Sequence, residues 1–164
     1  GKSIWLHVGK VRWSVYQFKY GNRRIHGKFY AEELFRLYGD WVQKQEIDVI
    51  IPVPLHPKRR RKRGYNQAEI IAKHFGKLAG IRVDTKSVIR VHNTRPQKEL
   101  NHVERKKNLE HAFRVTTCWN KAKNVLLIDD IYTTGNTINA VSRVLKENGA
   151  GKVWFLTISI GQGF

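Results

Sequence analysis

The sequence predicts an α/β fold, a parallel sheet with flanking helices and a helical, aromatic N-terminal addition. Three observations carry this. Short β-branched runs alternate with amphipathic segments in the middle and C-terminal parts of the chain, as they do in parallel sheets covered on both faces. The run "EIDVIIPVP" (Glu46–Pro54) ends in two prolines, the mark of a buried strand leaving into a rigid loop. The first forty or so residues differ in character, carrying Trp5, Trp13, Tyr16, Phe18, Tyr20, Phe29, Tyr30, Phe35, Tyr38 and Trp41.

Taken in order, Tyr30, Leu34, Leu37 and Trp41 share one helical face, which predicts an amphipathic helix in the N-terminal region. After the Glu46–Pro54 strand comes the basic run "KRRRKR" (Lys58–Arg63), followed by "GYNQAEIIAKHFGKLAG". There Ala68, Ile71, Ala72, Phe75, Leu78 and Ala79 fall at helical spacing; Asn66 and Glu69 resemble a capping box, and Gly80 is a natural stop. A strand is expected over Lys86–Val91, then a long polar stretch up to Ala112–Val115. "NVLLIDDI" predicts a strand, Ile138, Val141, Val144 and Leu145 a helix ending near Gly149, and "KVWFLTISI" a last strand. Residues 1–45 are therefore read as an N-terminal addition and residues 46–164 as the core of one structural domain, without repeats, linkers or low-complexity segments.

The chain has 164 residues, 31 Lys and Arg against 13 Asp and Glu, and a formal net charge of +18 at pH 7. A surface so basic favours polyanions, either nucleic acid or a highly phosphorylated small molecule. No apolar run approaches the roughly 18 residues that span a bilayer, and the N-terminal "GKSIWLHVGK" lacks the apolar stretch of a signal peptide. The sequence begins with Gly and contains no Met, so the native start is expected to lie upstream or to have been removed. One cysteine, Cys118, excludes an internal disulfide and a multi-cysteine zinc site within these residues, and a reducing, cytoplasmic setting is expected.

The stretch "LLIDDIYTTGNT" (Leu126–Thr137) carries the chemistry. Ligands of open parallel sheets bind beyond the carboxyl ends of the strands. The Asp pair stands at that end, and the following helix begins six to eight residues later, offering free N–H groups to an anion. Gly135 permits close approach of the backbone, and Thr133, Thr134 and Thr137 add hydroxyl donors. Asp129 and Asp130 instead accept hydrogen bonds from hydroxyls or hold a cation. A vicinal diol beside a phosphate, as in ribose 5-phosphate, satisfies both halves. A Walker B strand would need a partner phosphate loop, and only "GKS" at Gly1–Ser3 comes near it. A phosphorelay receiver has its acidic pair on the first strand rather than a late one.

Residues 126–137 resemble the phosphoribosyl-pyrophosphate (PRPP) signature of type I phosphoribosyltransferases. Within that superfamily, "IPVPLHPKRRRKRGYNQAEIIA" (Ile51–Ala72) and "TRPQKELNHVERKKNLEHAF" (Thr94–Phe113) are similar to the competence-protein ComF family. The resemblance implies a type I phosphoribosyltransferase-like fold over about residues 47–160, with the aromatic N-terminal residues 1–45 as its hood. It implies that Asp129 and Asp130 hold the ribose hydroxyls, and that Tyr132, Thr133, Thr134, Gly135, Asn136 and Thr137 wrap the 5′-phosphate. Leu55, His56, Pro57 and Lys58 fall at the family's pyrophosphate loop, and Thr94, Gln97 and Arg105 in its mobile loop. Mg²⁺ is expected to arrive with the pyrophosphate. At most two of Lys58, Arg59, Arg63, Arg105 and Lys106 are expected to reach it; His56 is either a ligand contact or a turn residue.

The family association also implies a role in single-stranded DNA uptake during natural transformation, beside a DNA helicase partner. Lys58, Arg59, Arg60, Arg61, Lys62 and Arg63 form a run that would bind nucleic-acid phosphates without sequence preference. The alternative is an active phosphoribosyltransferase on an unknown base, amine or nucleotide. Family members usually begin with a four-cysteine zinc segment; this sequence has none, so the segment was either cut off or never present, and no zinc site is expected within these residues. The hood aromatics are expected to pack as core in preference to stacking on bases.

Overall fold

The computed structural model of the chain describes residues 1–92 and 112–161. Among these, β1 (Lys2–Leu6), β2 (Val49–Pro52), β5 (Asn124–Tyr132) and β6 (Lys152–Ile160) form a parallel sheet in the order β1-β6-β5-β2. Two short strands, β3 (Val88–Arg90) and β4 (Phe113–Val115), pair antiparallel outside that sheet. The helices are α1 (Gly9–Tyr20), α2 (Ile25–Lys44), α3 (Pro57–Arg63), α4 (Gln67–Ala79) and α5 (Asn136–Glu147).

The central strands read as continuous apolar runs because both faces are covered. Ile50, Leu126, Ile128, Leu156 and Ile158 face one core with Phe18 of α1, Tyr30 and Leu34 of α2, and Ile71 and Phe75 of α4. Val49, Ile51, Val125 and Leu127 face the other, with Ile138, Val141 and Leu145 of α5 and Phe113 of β4. The parallel α/β architecture is thus as the alternation predicts. β6 runs over the predicted "KVWFLTISI", and α5 buries the predicted stripe apart from half-buried Val144.

Three local expectations are refined. In α4, the Asn66 side chain accepts from the Ala68 N–H at 3.2 Å, but Glu69 does not reach back; it pairs with Lys73 at 2.7 Å and Arg60 at 3.2 Å. Gly80 does end the helix, in the left-handed region at φ 69°. In α2, Leu37 is 44% exposed, because the buried stripe runs through Tyr30, Ala31, Leu34 and Val42 instead. The expected strand over 86–91 shrinks to β3 and joins β4; the chain beside β2 is the short stretch before it, where the Ile50 N–H donates to Arg82 O at 2.9 Å.

The hood is not wholly helical. β1 adds a strand to the sheet, with Lys2 opposite Leu156 and Leu6 opposite Ile160. Its one aromatic residue binds it to α2: Trp5 stacks on Phe29 at 6.3 Å and meets Tyr30 edge-on at 6.2 Å. Tyr38 donates to the Ser3 carbonyl at 2.7 Å. No helix among the described residues is long and apolar enough to cross a membrane.

Candidate functional site

The carboxyl ends of β2 and β5 lie side by side, with the Val53 N–H donating to Ile128 O at 2.9 Å. Beyond them opens a cavity of about 190 Å³. Its floor is Asp129 and Asp130 with Thr133 and Thr137; one wall is the Val53–Leu55 loop with Arg59 and Arg63 of α3. Asn66 and Gln67 at the start of α4, Arg90 of β3 and Lys19 of α1 complete it. Asn66 fixes the loop to the helix, donating to Val53 O at 3.0 Å while capping α4.

The two carboxylates are held differently. Asp130 is buried and paired with Lys19, whose Nζ lies 2.9 Å from its Oδ2. Asp129 keeps some exposure to the cavity and accepts from the Asp130 N–H at 2.8 Å. Desolvation, and secondarily the adjacent Asp130 charge, pushes the Asp129 pKa up to about 7, against the pull of that N–H, Lys19 and Arg90. An unfolded chain releases this proton near pH 3.8, so between roughly pH 4 and 7 the folded chain holds a proton that the unfolded one has lost. Stability is therefore expected to fall as pH rises through that window. Urea midpoints measured from pH 5 to 8 should fall more steeply for the parent than for Asp129→Asn; equal slopes would show that Asp129 is already ionised throughout.

The cationic wall follows from helix geometry. Pro57 opens α3, the His56 ring accepts from the Lys58 N–H at 3.3 Å as its cap, and Gly64 closes it. Winding the "KRRRKR" run into a helix separates its cations by face. Arg59 and Arg63, four apart, line the cavity. Arg60 turns to Glu69, while Lys58, Arg61 and Lys62 are exposed. Arg63 also donates to Gln67 Oε1 at 3.2 Å and Tyr20 Oη at 3.1 Å, with its guanidinium over the Tyr20 ring at 5.0 Å. Arg90 lies over the Phe113 ring at 5.3 Å. Burial lowers its pKa to about 10, so it stays charged at neutral pH.

The loop between β5 and α5 has a rigid base. The Tyr132 ring stacks parallel on Phe155 with centroids 4.9 Å apart. Gly135 sits above it at φ 74°, where an added Cβ would fall 2.4 Å from the Tyr132 hydroxyl oxygen. Both conformation and space thus require glycine. Thr134 Oγ1 and Asn136 Nδ2 are buried without a protein hydrogen-bond partner. Gly135 at the N-cap provides no capping side chain, which leaves early N–H groups of α5 for another acceptor.

Of the residues expected at the site, Asp129, Asp130, Thr133, Thr137 and Leu55 line one cavity with Arg59 and Arg63. Tyr132, Thr134, Gly135 and Asn136 form the loop behind it, and His56, Pro57 and Lys58 the start of α3 beside it. Thr94, Gln97 and Arg105 lie outside the described residues. Lys19 and Arg90 were not legible as site residues, since each arrives from a distant element and belongs to no local motif.

The fold is that of a phosphoribosyl transferase domain: residues 30–159 match the family model of that description. A purine phosphoribosyltransferase from Pyrococcus horikoshii superposes with a TM-score of 0.54 at 16% identity, covering 80% of this chain and 74% of that one. Competence protein F of Haemophilus influenzae is 31% identical over 144 residues, 85% of this chain and 63% of that protein. DNA utilization protein YhgH of Escherichia coli O6:H1 is 34% identical over 111 residues, 66% of this chain and 48% of that protein. The chain thus spans about half to two thirds of the length of these relatives. It belongs to the phosphoribosyl transferase domain family, in its competence ComF branch.

Proposed function

We propose that the chain binds PRPP with Mg²⁺ in the cavity at the ends of β2 and β5, and that it works on incoming single-stranded DNA in natural transformation. The observation that carries the PRPP assignment is the opposed lining of that cavity. Two carboxylates stand against three guanidiniums, those of Arg59, Arg63 and Arg90, with the hydroxyls of Thr133 and Thr137 beside them. Ribose hydroxyls donate to Asp129 and Asp130, the 5′-phosphate faces the Thr133–Thr137 loop, and the diphosphate meets the arginines. The unpartnered Thr134 hydroxyl and Asn136 amide leave that loop with donor capacity for an anion.

The donor set also fits a cation that travels with its ligand. Among the described residues no group of three or more His, Cys, Asp and Glu is gathered to hold a metal. Asp129 and Asp130 would hold Mg²⁺ through water, and the ion would neutralise charge on the diphosphate oxygens. The chain's own part in breaking the C1′–O bond is positional. The arginines take up negative charge developing on the leaving diphosphate, and the carboxylates fix the ribose whose positive charge grows.

The DNA assignment rests on the names of the relatives, one a competence protein and two thirds of this chain matching a DNA utilization protein, together with the net charge of +18. On this reading the chain works in the cytoplasm, with a competence DNA helicase as its partner. A second reading, transfer of phosphoribosyl to a base, amine or nucleotide, is favoured by the arginine wall opposite the acids, which suits a leaving diphosphate. Calorimetric titration of PRPP with Mg²⁺ should show saturable binding that weakens when EDTA is added, and no heat of binding would end the proposal. Release of diphosphate with one member of an acceptor panel would establish the second reading.

A further inference from the structure

We propose that the exposed aromatic face of α1 is the seat of single-stranded nucleic acid, with bases stacked on Trp13, Tyr16 and Tyr20. This rests on the DNA reading above and moves its centre from the α3 cation run to α1. Helix α1 is firmly packed by its inner face, where Val15 and Phe18 are 1% and 0% exposed. Its outer face nevertheless presents Trp13 at 64%, Tyr16 at 57% and Tyr20 at 54% exposure. Positions 13, 16 and 20 share one side of a helix, so the rings form a row about 10 Å long. Tyr16 and Tyr20 are already in ring contact, with centroids 5.0 Å apart. Large rings left in water on a well-anchored helix mark a contact surface rather than incomplete packing.

Charge selects the occupant. Residues 1–31 contain seven Lys and Arg and neither Asp nor Glu. Arg12 and Arg23, both exposed, flank the row at its two ends. Planar rings with the exposed Arg12 and Arg23 beside them suit a strand that offers free base faces and phosphates together. A duplex keeps its base faces stacked inside and offers this row only phosphates. The row ends at the cavity mouth, because the Tyr20 ring lies under Arg63 at 5.0 Å and Lys19 beside it reaches Asp130 at 2.9 Å. A strand lying along α1 would therefore lead to the PRPP cavity.

The test uses fluorescence anisotropy of a labelled single-stranded oligonucleotide of about 15 nucleotides. Trp13→Ala with Tyr16→Ala should weaken binding about tenfold or more, at stacking worth ~1–3 kcal/mol per base, with an unchanged salt slope. Lys58→Gln with Arg61→Gln and Lys62→Gln should instead reduce the slope or leave binding unaltered. Quenching of Trp13, read as the parent signal less that of Trp13→Phe on adding unlabelled oligonucleotide, checks contact without relying on loss of affinity. Binding within about twofold of the parent in the double Ala variant, with no Trp13 quenching, overturns the α1 seat while leaving the DNA reading intact. No binding by the parent at low salt ends both. Tighter binding of the parent to anionic vesicles than to the oligonucleotide, or a parent dimer that Trp13→Ala dissociates, assigns the face to a membrane or a second copy and overturns the proposal.

Discussion

Exchanging Asp129 and Asp130 together for Asn is expected to weaken PRPP binding about 100-fold or more, with the fold preserved. Hydrogen bonds from neutral hydroxyls to a carboxylate contribute ~1.5–3 kcal/mol each, and the pair would accept one from each ribose hydroxyl. The substitution is nearly isosteric, so shape and packing are kept while the charge and its acceptor strength are lost. Lys19 loses its partner, but its side chain is 18% exposed and can turn toward water. Asp129 is disfavoured as an anion in the free protein, so removing that charge should hold or raise the urea midpoint. Loss of binding at unchanged stability is the signature sought by calorimetry. Binding equal to the parent's would show that the carboxylates do not touch the ligand.

Phe18→Ala is expected to cost about 3–5 kcal/mol in stability. The ring is fully buried, edge-on to Tyr30 at 5.4 Å and tilted against Tyr65 at 5.9 Å. Its backbone carbonyl is also a junction, accepting from the Tyr65 hydroxyl and from Gln67 Nε2 at 3.4 Å. The substitution opens a cavity where α1, α2 and α4 meet, immediately before the lysine that pairs with Asp130. Thermal unfolding should shift down by about 10 °C for a domain of this size. A cost under about 1 kcal/mol would mean that α1 is not held as described.

Much of the fold is legible in the sequence where both faces of an element carry one message. β5 and β6 are buried runs bounded by turns, and α4 and α5 combine a helical stripe with a stop glycine. β1 is hidden because five residues, exposed at both ends, give neither alternation nor a long apolar run. α1 is masked by its outward aromatics, which blur the amphipathic pattern. For α3 the punctuation was present, Pro57 at the start and Gly64 at the end, but six consecutive cations read more readily as a solvated charge run.

The site divides in the same way. The acids and the Thr133–Thr137 loop are contiguous, so their chemistry is local and visible. The cations that oppose them come from α1, α3 and β3, and only the tertiary fold shows that Lys19, Arg59, Arg63 and Arg90 share one cavity. Helix formation in α3 decides which arginines of the run can take part, a selection that composition does not contain.

The pairing of β1 with β6 sets an order of events during synthesis. Lys2 faces Leu156, and in the sheet β6 is the neighbour of β1. A nascent chain therefore carries Ile4 and Trp5 without their strand partner until Lys152–Ile160 has left the ribosome. Contacts so distant in sequence form late and slowly. The α1 segment, tethered directly behind β1, should reach its final place in the same late step, making the supply of Lys19 to Asp130 one of the last acts of folding.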